Sequence, residues 1–231
     1  MRQTFEIPLD IPDVTIENVT TNRMGHIEIT VKSTVEGTPC HRCGKMTTQL
    51  YGEDREITLR HLPILGRKTF IHLRPKRYQC LHCHGNPTTT QTLSWYTPRS
   101  SFTNAYEKQI LLSLVNSTVQ ATSIKEDIGY EAIMGIIDRS IEREITWEDG
   151  PRLEVMGLDE ISLKKGHRDF VAIITGHRET ETVIVGVLPD RKKATVKTFL
   201  SSIPQRVRQT IHSVLTVRLF LSMIRTKIRR R

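Results

Sequence analysis

The sequence predicts an α+β protein of several domains: a β-rich first part, a helical middle and an α/β last part. Three observations predict this class. Apolar and polar residues alternate in 14–16 and in 26–31, the period of a strand with one buried face. Proline is absent from 102–145, where apolar residues recur at helical spacing. After an Asp-Gly-Pro turn signal at 149–151 the pattern becomes strand-rich again.

Composition places the chain among ordinary globular proteins. Of its 231 residues, 37% are hydrophobic and 26% are charged. The N-terminus lacks a basic stretch followed by an apolar run, so we expect no signal peptide. No stretch of about 18 uncharged apolar residues occurs, so we expect no membrane partner. The predicted compartment is a reducing cytoplasm, where four cysteines favour metal binding over disulfides.

The positive charge is concentrated at the C-terminal end. The formal net charge is +9, and residues 191–231 contain twelve Lys and Arg and no Asp or Glu. A basic surface is typical of proteins that bind a polyanion, because phosphate contacts release counterions. A solvated basic tail explains the same segment equally well.

The four cysteines form two C-x-x-C pairs, and this is the strongest motif in the chain. Cys40 and Cys43 lie in CHRC, and Cys80 and Cys83 lie in CLHC. Two sulfurs with this spacing on a tight turn can face one zinc ion, and two such turns complete a four-thiolate shell. Gly44 follows the first pair, where such a turn often needs a positive φ. The strand-like gap between the pairs predicts a zinc ribbon with structural Zn²⁺.

Polar residues around and between the cysteine pairs admit two interpretations. The neighbouring histidines could replace a cysteine as ligands, but the two pairs already complete a shell; they are His41, His82 and His84. Basic residues on a zinc-held hairpin can contact DNA phosphates, although a merely solvated hairpin face is the alternative. The residues assigned to DNA binding here are Arg67, Lys68, Arg74, Lys76 and Arg77.

Three helices are predicted in the middle of the chain, at 102–116, 119–128 and 131–144. A short helix, a glycine turn and a longer helix is the order of a helix-turn-helix, whose last helix enters the major groove. Three-helix units are also common in proteins that do not bind DNA. Arg139 and Arg143 on the third helix are the basic residues that we assign to DNA binding.

An acidic pair follows an apolar run in the last part. The run 153–161 carries Asp159 and Glu160 near its end. Two further apolar strands and a helix at 194–202 come next. This order begins a ribonuclease-H-like fold, in which carboxylates hold two Mg²⁺ ions for phosphodiester transfer. A simple turn or cap is the alternative explanation of the acidic pair.

These motifs together resemble one family. CHRCG, LRHLPILGRKTFIHLRPKRYQCLHC, the three helices, GLDEISLKKGHRDFVAIITG and LPDRKKATVKTFL occur in an order similar to that of the ISL3 class of bacterial insertion-sequence transposases. The resemblance covers about 35–214. It implies that Asp159 is the first acid of an Asp-Asp-Glu triad and that Mg²⁺ serves the intact family. It also implies that the ribbon and the helix-turn-helix bind the terminal inverted repeats of the element, in a nucleoid-associated protein.

The predicted domains are a zinc ribbon, a linker, a helix-turn-helix, the start of a catalytic domain and an aberrant basic tail. Their bounds are, in order, 1–86, 87–101, 102–148, 149–214 and 215–231. The family has further acids downstream, whereas this chain has none after Asp190. We therefore expect an incomplete ribonuclease-H-like domain that is inactive by itself, the product of a frameshift or an early stop, with a diverged but genuine terminus as the alternative.

Two other functions remain open at this point. A non-enzymatic DNA-binding regulator would explain the ribbon and the helices but not the acidic segment. A zinc-stabilised protein-interaction module would need no nucleic acid.

We expect the chain to form a homo-oligomer or to associate with an intact transposase.

Overall fold

The computed structural model describes residues 8–9, 11–141, 147, 153–163, 170–178 and 181–216. The chain divides into two compact units, Met1–Tyr106 and Glu107–Arg231. The Asp-Gly-Pro turn predicted at 149–151 and most of the predicted basic tail lie outside the described residues.

Nine strands lie in the described residues of the first unit, and the alternating segments at 14–16 and 26–31 overlap the first two of them. They form a four-stranded sheet, a two-stranded sheet and a three-stranded sheet. The strands are β1 (Val14–Thr21), β2 (Ile27–Ser33), β3 (Thr38–Pro39), β4 (Met46–Thr47), β5 (Leu50–Glu53), β6 (Ile57–Ile64), β7 (Arg67–Leu73), β8 (Lys76–Gln79) and β9 (Thr88–Thr90).

The four-stranded sheet carries the core of this unit. Its order is β1-β2-β7-β6, with β2 and β7 parallel and the two outer pairs antiparallel. Ile29, Ile71 and Leu59 point from three neighbouring strands into one buried cluster. The β1–β2 turn closes through Asn22, whose carbonyl accepts the Gly25 N–H (2.9 Å).

The segment 87–101 is not a linker in this structure. It contributes β9, which pairs with β8. Leu93, Trp95 and Tyr96 are buried in the core of the four-stranded sheet. The many Thr, Ser and Pro residues predicted a solvated connection, but three large apolar side chains in the same stretch gain free energy when they leave water.

Three helices follow at nearly the predicted positions: α1 (Asn104–Leu114), α2 (Val119–Glu126) and α3 (Tyr130–Ile141). The hydroxyl of Thr103 accepts the Tyr106 N–H (3.3 Å) at the start of α1, as an N-cap residue does. Thr118 caps α2 in the same way by accepting the Ala121 N–H (3.1 Å). Asp127 ends α2 with φ 51°, in the left-handed conformation of many helix ends.

The second unit contains a mixed sheet of order β12-β11-β10-β13. β10 and β11 are antiparallel, β11 and β12 are antiparallel, and β13 runs parallel to β10. Two helices, α4 and α5, connect β12 to β13. The bounds are β10 (Val155–Ser162), β11 (Phe170–Arg178), β12 (Glu181–Leu188), α4 (Lys193–Ser202), α5 (Gln205–Arg208) and β13 (Ser213–Thr216).

The two faces of this sheet differ. Met156 and Leu158 of β10 pack in a cluster with Val196 and Phe199 of α4. Residues one position further along β10 point to the opposite face, because successive side chains alternate. The predicted strand end at 161 is one residue from the observed end at Ser162, but Asp159 lies within the strand rather than at its end.

A buried ion pair joins α1 to α3. Arg139 donates from Nε (3.1 Å) and Nη2 (2.7 Å) to Oε1 of Glu107. The side chain of Glu107 is 1% exposed and that of Arg139 is 28% exposed. A carboxylate this far from water needs a partner, because desolvation of an unpaired charge costs several kcal/mol.

Replacing Arg139 with alanine should lower the free energy of unfolding by about 3 kcal/mol, because breaking a buried pair leaves one charge uncompensated. Urea unfolding measures the loss. The exposed neighbour Asp138 supplies the control, and Asp138→Ala should change stability by less than about 0.5 kcal/mol. Equal losses in the two variants would contradict the prediction, whereas Glu107→Leu combined with Arg139→Leu should recover part of the stability.

Candidate zinc centre and acidic site

The first cysteine pair lies on a tight turn between β3 and β4. Gly44 donates its N–H to the carbonyl of Cys40 (2.8 Å) and Cys40 donates to the carbonyl of Lys45 (2.8 Å). Gly44 has φ +70°, which requires glycine or a strained side chain. The backbone N–H of Arg42 points at the Cys40 sulfur (3.4 Å).

The second pair occupies an equivalent turn between β8 and β9. Cys80 donates its N–H to the carbonyl of Pro87 (2.9 Å), and Asn86 donates to the carbonyl of Cys83 (3.1 Å). Gly85 and Asn86 both have positive φ, at 80° and 44°. Glycine and asparagine are the residues that adopt this conformation at least cost.

The four sulfurs form one cluster. All of them lie within 4.8 Å of one another. The Sγ atoms of Cys40 and Cys83 are 4.0 Å apart, and those of Cys43 and Cys80 are 3.8 Å apart. A tetrahedral zinc with Zn–S bonds of about 2.3 Å requires neighbouring sulfurs roughly 3.8 Å apart. The donor set therefore fits structural zinc in both chemistry and spacing.

The thiols influence one another strongly. Backbone N–H groups, that of Cys43 first, lower the pKa of Cys40 to about 6. The hydrogen bond with the Cys43 side chain raises the pKa of Cys83 to about 12. One thiolate is thus favoured, and the Cys83 thiolate is disfavoured mainly by hydrogen bonding and burial, to which repulsion from Cys40 adds. A divalent cation at the centre removes that repulsion and lets all four sulfurs ionise.

The neighbouring histidines do not join this cluster. Within the described part of the chain, the group able to hold a metal consists of the four cysteines. The ring Nδ1 of His41 instead lies 2.9 Å from the hydroxyl of Thr89.

Three of the predicted DNA-binding residues lie on or next to β7. Arg67 is exposed at its start and Lys68 is half-buried. The side chain of Arg74, after the end of β7, is 63% exposed and its Nε lies 3.3 Å from Oε2 of Glu56. An exposed ion pair of this kind is weak, so a phosphate can compete for the guanidinium.

The other two basic residues of this region point into the protein. Lys76 donates to the carbonyl of Val35 (3.3 Å). Arg77 donates from Nη2 to the hydroxyl of Thr88 (2.7 Å) and lies over the ring of Tyr51. Both side chains therefore bond groups within the protein. Their position in the sequence, among other basic residues, did not reveal these contacts.

Of the two basic residues predicted to bind DNA from the third helix, the structure describes Arg139. Arg139 is directed at Glu107 by two hydrogen bonds. Arg143 lies outside the described residues. The pairing of Arg139 was missed because the sequence does not tell which helix face meets Glu107.

Asp159 is buried on β10, with 8% of its surface exposed. Its Oδ2 accepts the backbone N–H of Asn116 (2.6 Å), and its Oδ1 accepts the N–H of Glu160 (3.0 Å). Asn116 lies between α1 and α2 with φ 57°. Sequence reasoning missed this contact, since a backbone donor in a distant loop has no signature in the residue types.

Glu160 does not share a site with Asp159. It follows Asp159 directly in an extended strand, so the two carboxylates point to opposite faces. The Oε2 of Glu160 accepts Arg191 Nη1 (2.5 Å), and the Arg191 guanidinium lies 3.8 Å from the centre of the Phe170 ring. This pairing neutralises Glu160 on the face that carries α4.

Comparisons with known proteins match two segments of the chain. A family model described as the zinc finger of transposases IS204, IS1001, IS1096 and IS1165 matches residues 36–83. An ISL3-type family model described as transposase matches residues 156–224. The second match continues past 214 into the segment that the sequence analysis assigned to an aberrant tail. No solved structure matches the chain.

A curated relative is similar over a longer stretch of the chain. The transposase for insertion sequence element IS1001 of Bordetella parapertussis is 23% identical over 188 residues, which are 81% of this chain and 45% of the relative. The chain thus spans less than half the length of that relative. No helix in the described residues is long and apolar enough to span a membrane. The ribbon match, the transposase match and this relative agree with one another, and together they support an ISL3-type insertion-sequence transposase.

Proposed function

We propose that this chain binds the terminal inverted repeats of an insertion sequence and contributes the first metal-binding acid of the strand-transfer site. One observation carries the proposal: a four-sulfur cluster and a buried aspartate on a central strand occur within the two segments that match this family. The ribbon supplies a rigid base for DNA contacts, and the strand holds the acid.

Zinc has a structural role in this proposal. The two cysteine turns lie on separate small sheets, β3–β4 and β5-β8-β9, which bury little apolar surface of their own. Zinc bonds supply the folding energy that such small sheets lack. The four ligands leave no open position for catalysis, so the metal holds the ribbon together rather than reacting.

The three helices are proposed to form a helix-turn-helix. α2 has eight residues and α3 has twelve. Residues 127–129 join them, the turn length of this motif. Arg139 is not carried into the DNA surface, because its guanidinium bonds Glu107.

Asp159 is proposed as the first acid of the family triad, for two reasons. The order β12-β11-β10-β13, with β13 parallel to β10, supports a ribonuclease-H-like sheet. The second reason is the position of β13: its last described residue, Thr216, pairs with Leu158, the residue immediately before Asp159. When Mg²⁺ is bound in such a site it activates the attacking oxygen and stabilises the leaving one. Asp159 would hold it, and the Asn116 N–H orients the carboxylate.

A DNA-binding regulator without catalysis is the second candidate. Within the described residues no second carboxylate joins Asp159, since Glu160 faces away and pairs with Arg191. Both candidates require DNA binding, and only the first requires cleavage.

Cys43→Ser should abolish zinc binding and unfold the ribbon. Cys43 is exposed, so the substitution leaves no buried cavity, and any unfolding follows from the lost ligand. Metal analysis of protein purified under reducing conditions should find about one zinc per chain before the change and none after it. His41→Ala is the control and should keep the metal. Wild-type protein without zinc would refute the assignment.

Lys68→Gln combined with Arg74→Gln should weaken binding to every DNA sequence. Each lost phosphate contact reduces the steepness of the fall of log K with log salt by about 0.9, so we expect the magnitude of this slope to decrease by about 1.8. Mobility shifts with inverted-repeat and scrambled duplexes over a salt series measure it. The exposed Lys197 on α4 supplies the control variant, Lys197→Gln. An unchanged slope in the double variant would remove these residues from the DNA surface.

A protein of these 231 residues should not cleave inverted-repeat DNA with Mg²⁺. One carboxylate cannot balance the charge of two metal ions or hold them in place. Gel analysis of end-labelled duplex over a Mg²⁺ series measures nicking and joining. Activity that disappears in Asp159→Ala would overturn this expectation and exclude the regulator.

A further inference from the structure

Two hairpin turns lie side by side at one end of the four-stranded sheet. β2 and β7 are parallel neighbours, with Ile27 opposite Thr69, so both strands begin at the same end. The turns that precede them, residues 22–25 and 64–67, therefore lie together. Nη1 of Arg67 is 3.5 Å from the carbonyl oxygen of Gly25. These two turns are called the paired tips below.

Each tip exposes a large apolar side chain. Met24 is 79% exposed and Leu65 is 77% exposed, the two highest values among the large apolar residues that the structure describes. Neither contributes to the core beneath the sheet. Burial therefore does not explain why apolar residues stand at these positions.

Backbone geometry does not explain Leu65 either. Leu65 has φ 51° and Gly66 has φ 73°, so both central residues of the β6–β7 turn are left-handed. Asn-Gly is the preferred pair for such a turn, and a leucine in the left-handed region is strained. Leu65 thus costs free energy in the backbone and in exposed apolar surface. A residue held against both preferences indicates a role outside folding.

The paired tips are also positively charged. Arg23 and Arg67 are exposed, and Lys68 follows directly. Neither turn contains an acid. Glu28, close to the β1–β2 turn, is occupied by Asn22 Nδ2 (2.7 Å) and His72 Nε2 (2.5 Å). Apolar points flanked by arginines match the chemistry of side chains that wedge into DNA from the minor groove.

We propose that the paired tips enter the minor groove of duplex DNA, where Met24 and Leu65 wedge against base steps and Arg23 and Arg67 lie along the groove. The groove is about 6 Å wide, so it admits side chains rather than whole hairpins. Insertion unstacks a base step and bends the duplex. The inference rests on the proposed DNA binding and adds a contact separate from the helices.

The decisive variant is Leu65→Asn in the full chain. Asparagine suits the left-handed turn better, so this variant should unfold at equal or higher urea concentration than the wild type. A loss of DNA distortion in it cannot then result from misfolding. Met24→Gln combined with Leu65→Asn removes both apolar points, and Ile16→Thr, at an exposed site within β1, is the control.

A duplex that carries 2-aminopurine beside a TpA step reports unstacking as a rise in fluorescence. Saturating wild-type protein should raise the signal, and the double variant should retain less than about half of that rise with an unchanged salt slope. Arg23→Gln combined with Arg67→Gln should lower the slope by about 1.8. Ile16→Thr should behave as the wild type does.

Three outcomes would overturn the proposal. If the wild type binds the duplex and Leu65→Asn with Met24→Gln leaves the fluorescence rise intact, the wedge is wrong while DNA binding stands. If the wild type does not bind duplex at low salt, the proposed function fails with it. If phosphatidylserine vesicles bind through Met24 and Leu65, and the duplex signal does not depend on these two residues, the paired tips bind a membrane surface instead.

Discussion

The parallel pairing of β2 with β7 is the constraint on which the first unit depends. β6 and β7 lie between the two cysteine pairs in sequence, and the pairing draws them away into the N-terminal sheet. The chain can then return, so that Cys43 and Cys80, 37 residues apart, place their sulfurs within 3.8 Å. The same pairing brings the two hairpin turns together. One strand contact thus supports both the metal centre and the charged end of the sheet.

In the second unit, strand alternation separates two neighbouring acids. Asp159 and Glu160 are adjacent in sequence, yet one accepts a loop N–H and the other an arginine on the opposite face. The paired glutamate stabilises the strand from the side of α4. Within the described residues, both oxygens of the aspartate accept backbone N–H groups.

Basic residues in this chain serve two distinct purposes. Arg77 and Arg139 bond partly or fully buried groups and hold elements together. Arg67 and Arg74 remain exposed on and beside the β6–β7 hairpin. Arginine suits both uses, because its planar donors bind buried carboxylates and its charge attracts phosphates. Net charge alone therefore says little about which arginines face DNA.

The amino-acid sequence alone predicted which four cysteines come together, the three helices in the middle of the chain and the acid in β10. These follow from local spacing, since two C-x-x-C pairs and the periods of apolar residues need no knowledge of distant contacts. Only the tertiary structure decided that 87–101 is part of a core, that Arg139 meets Glu107, and that Asn116 donates to Asp159. Each of these depends on which faces meet across the fold, and residue types along one strand or helix do not encode that meeting by themselves.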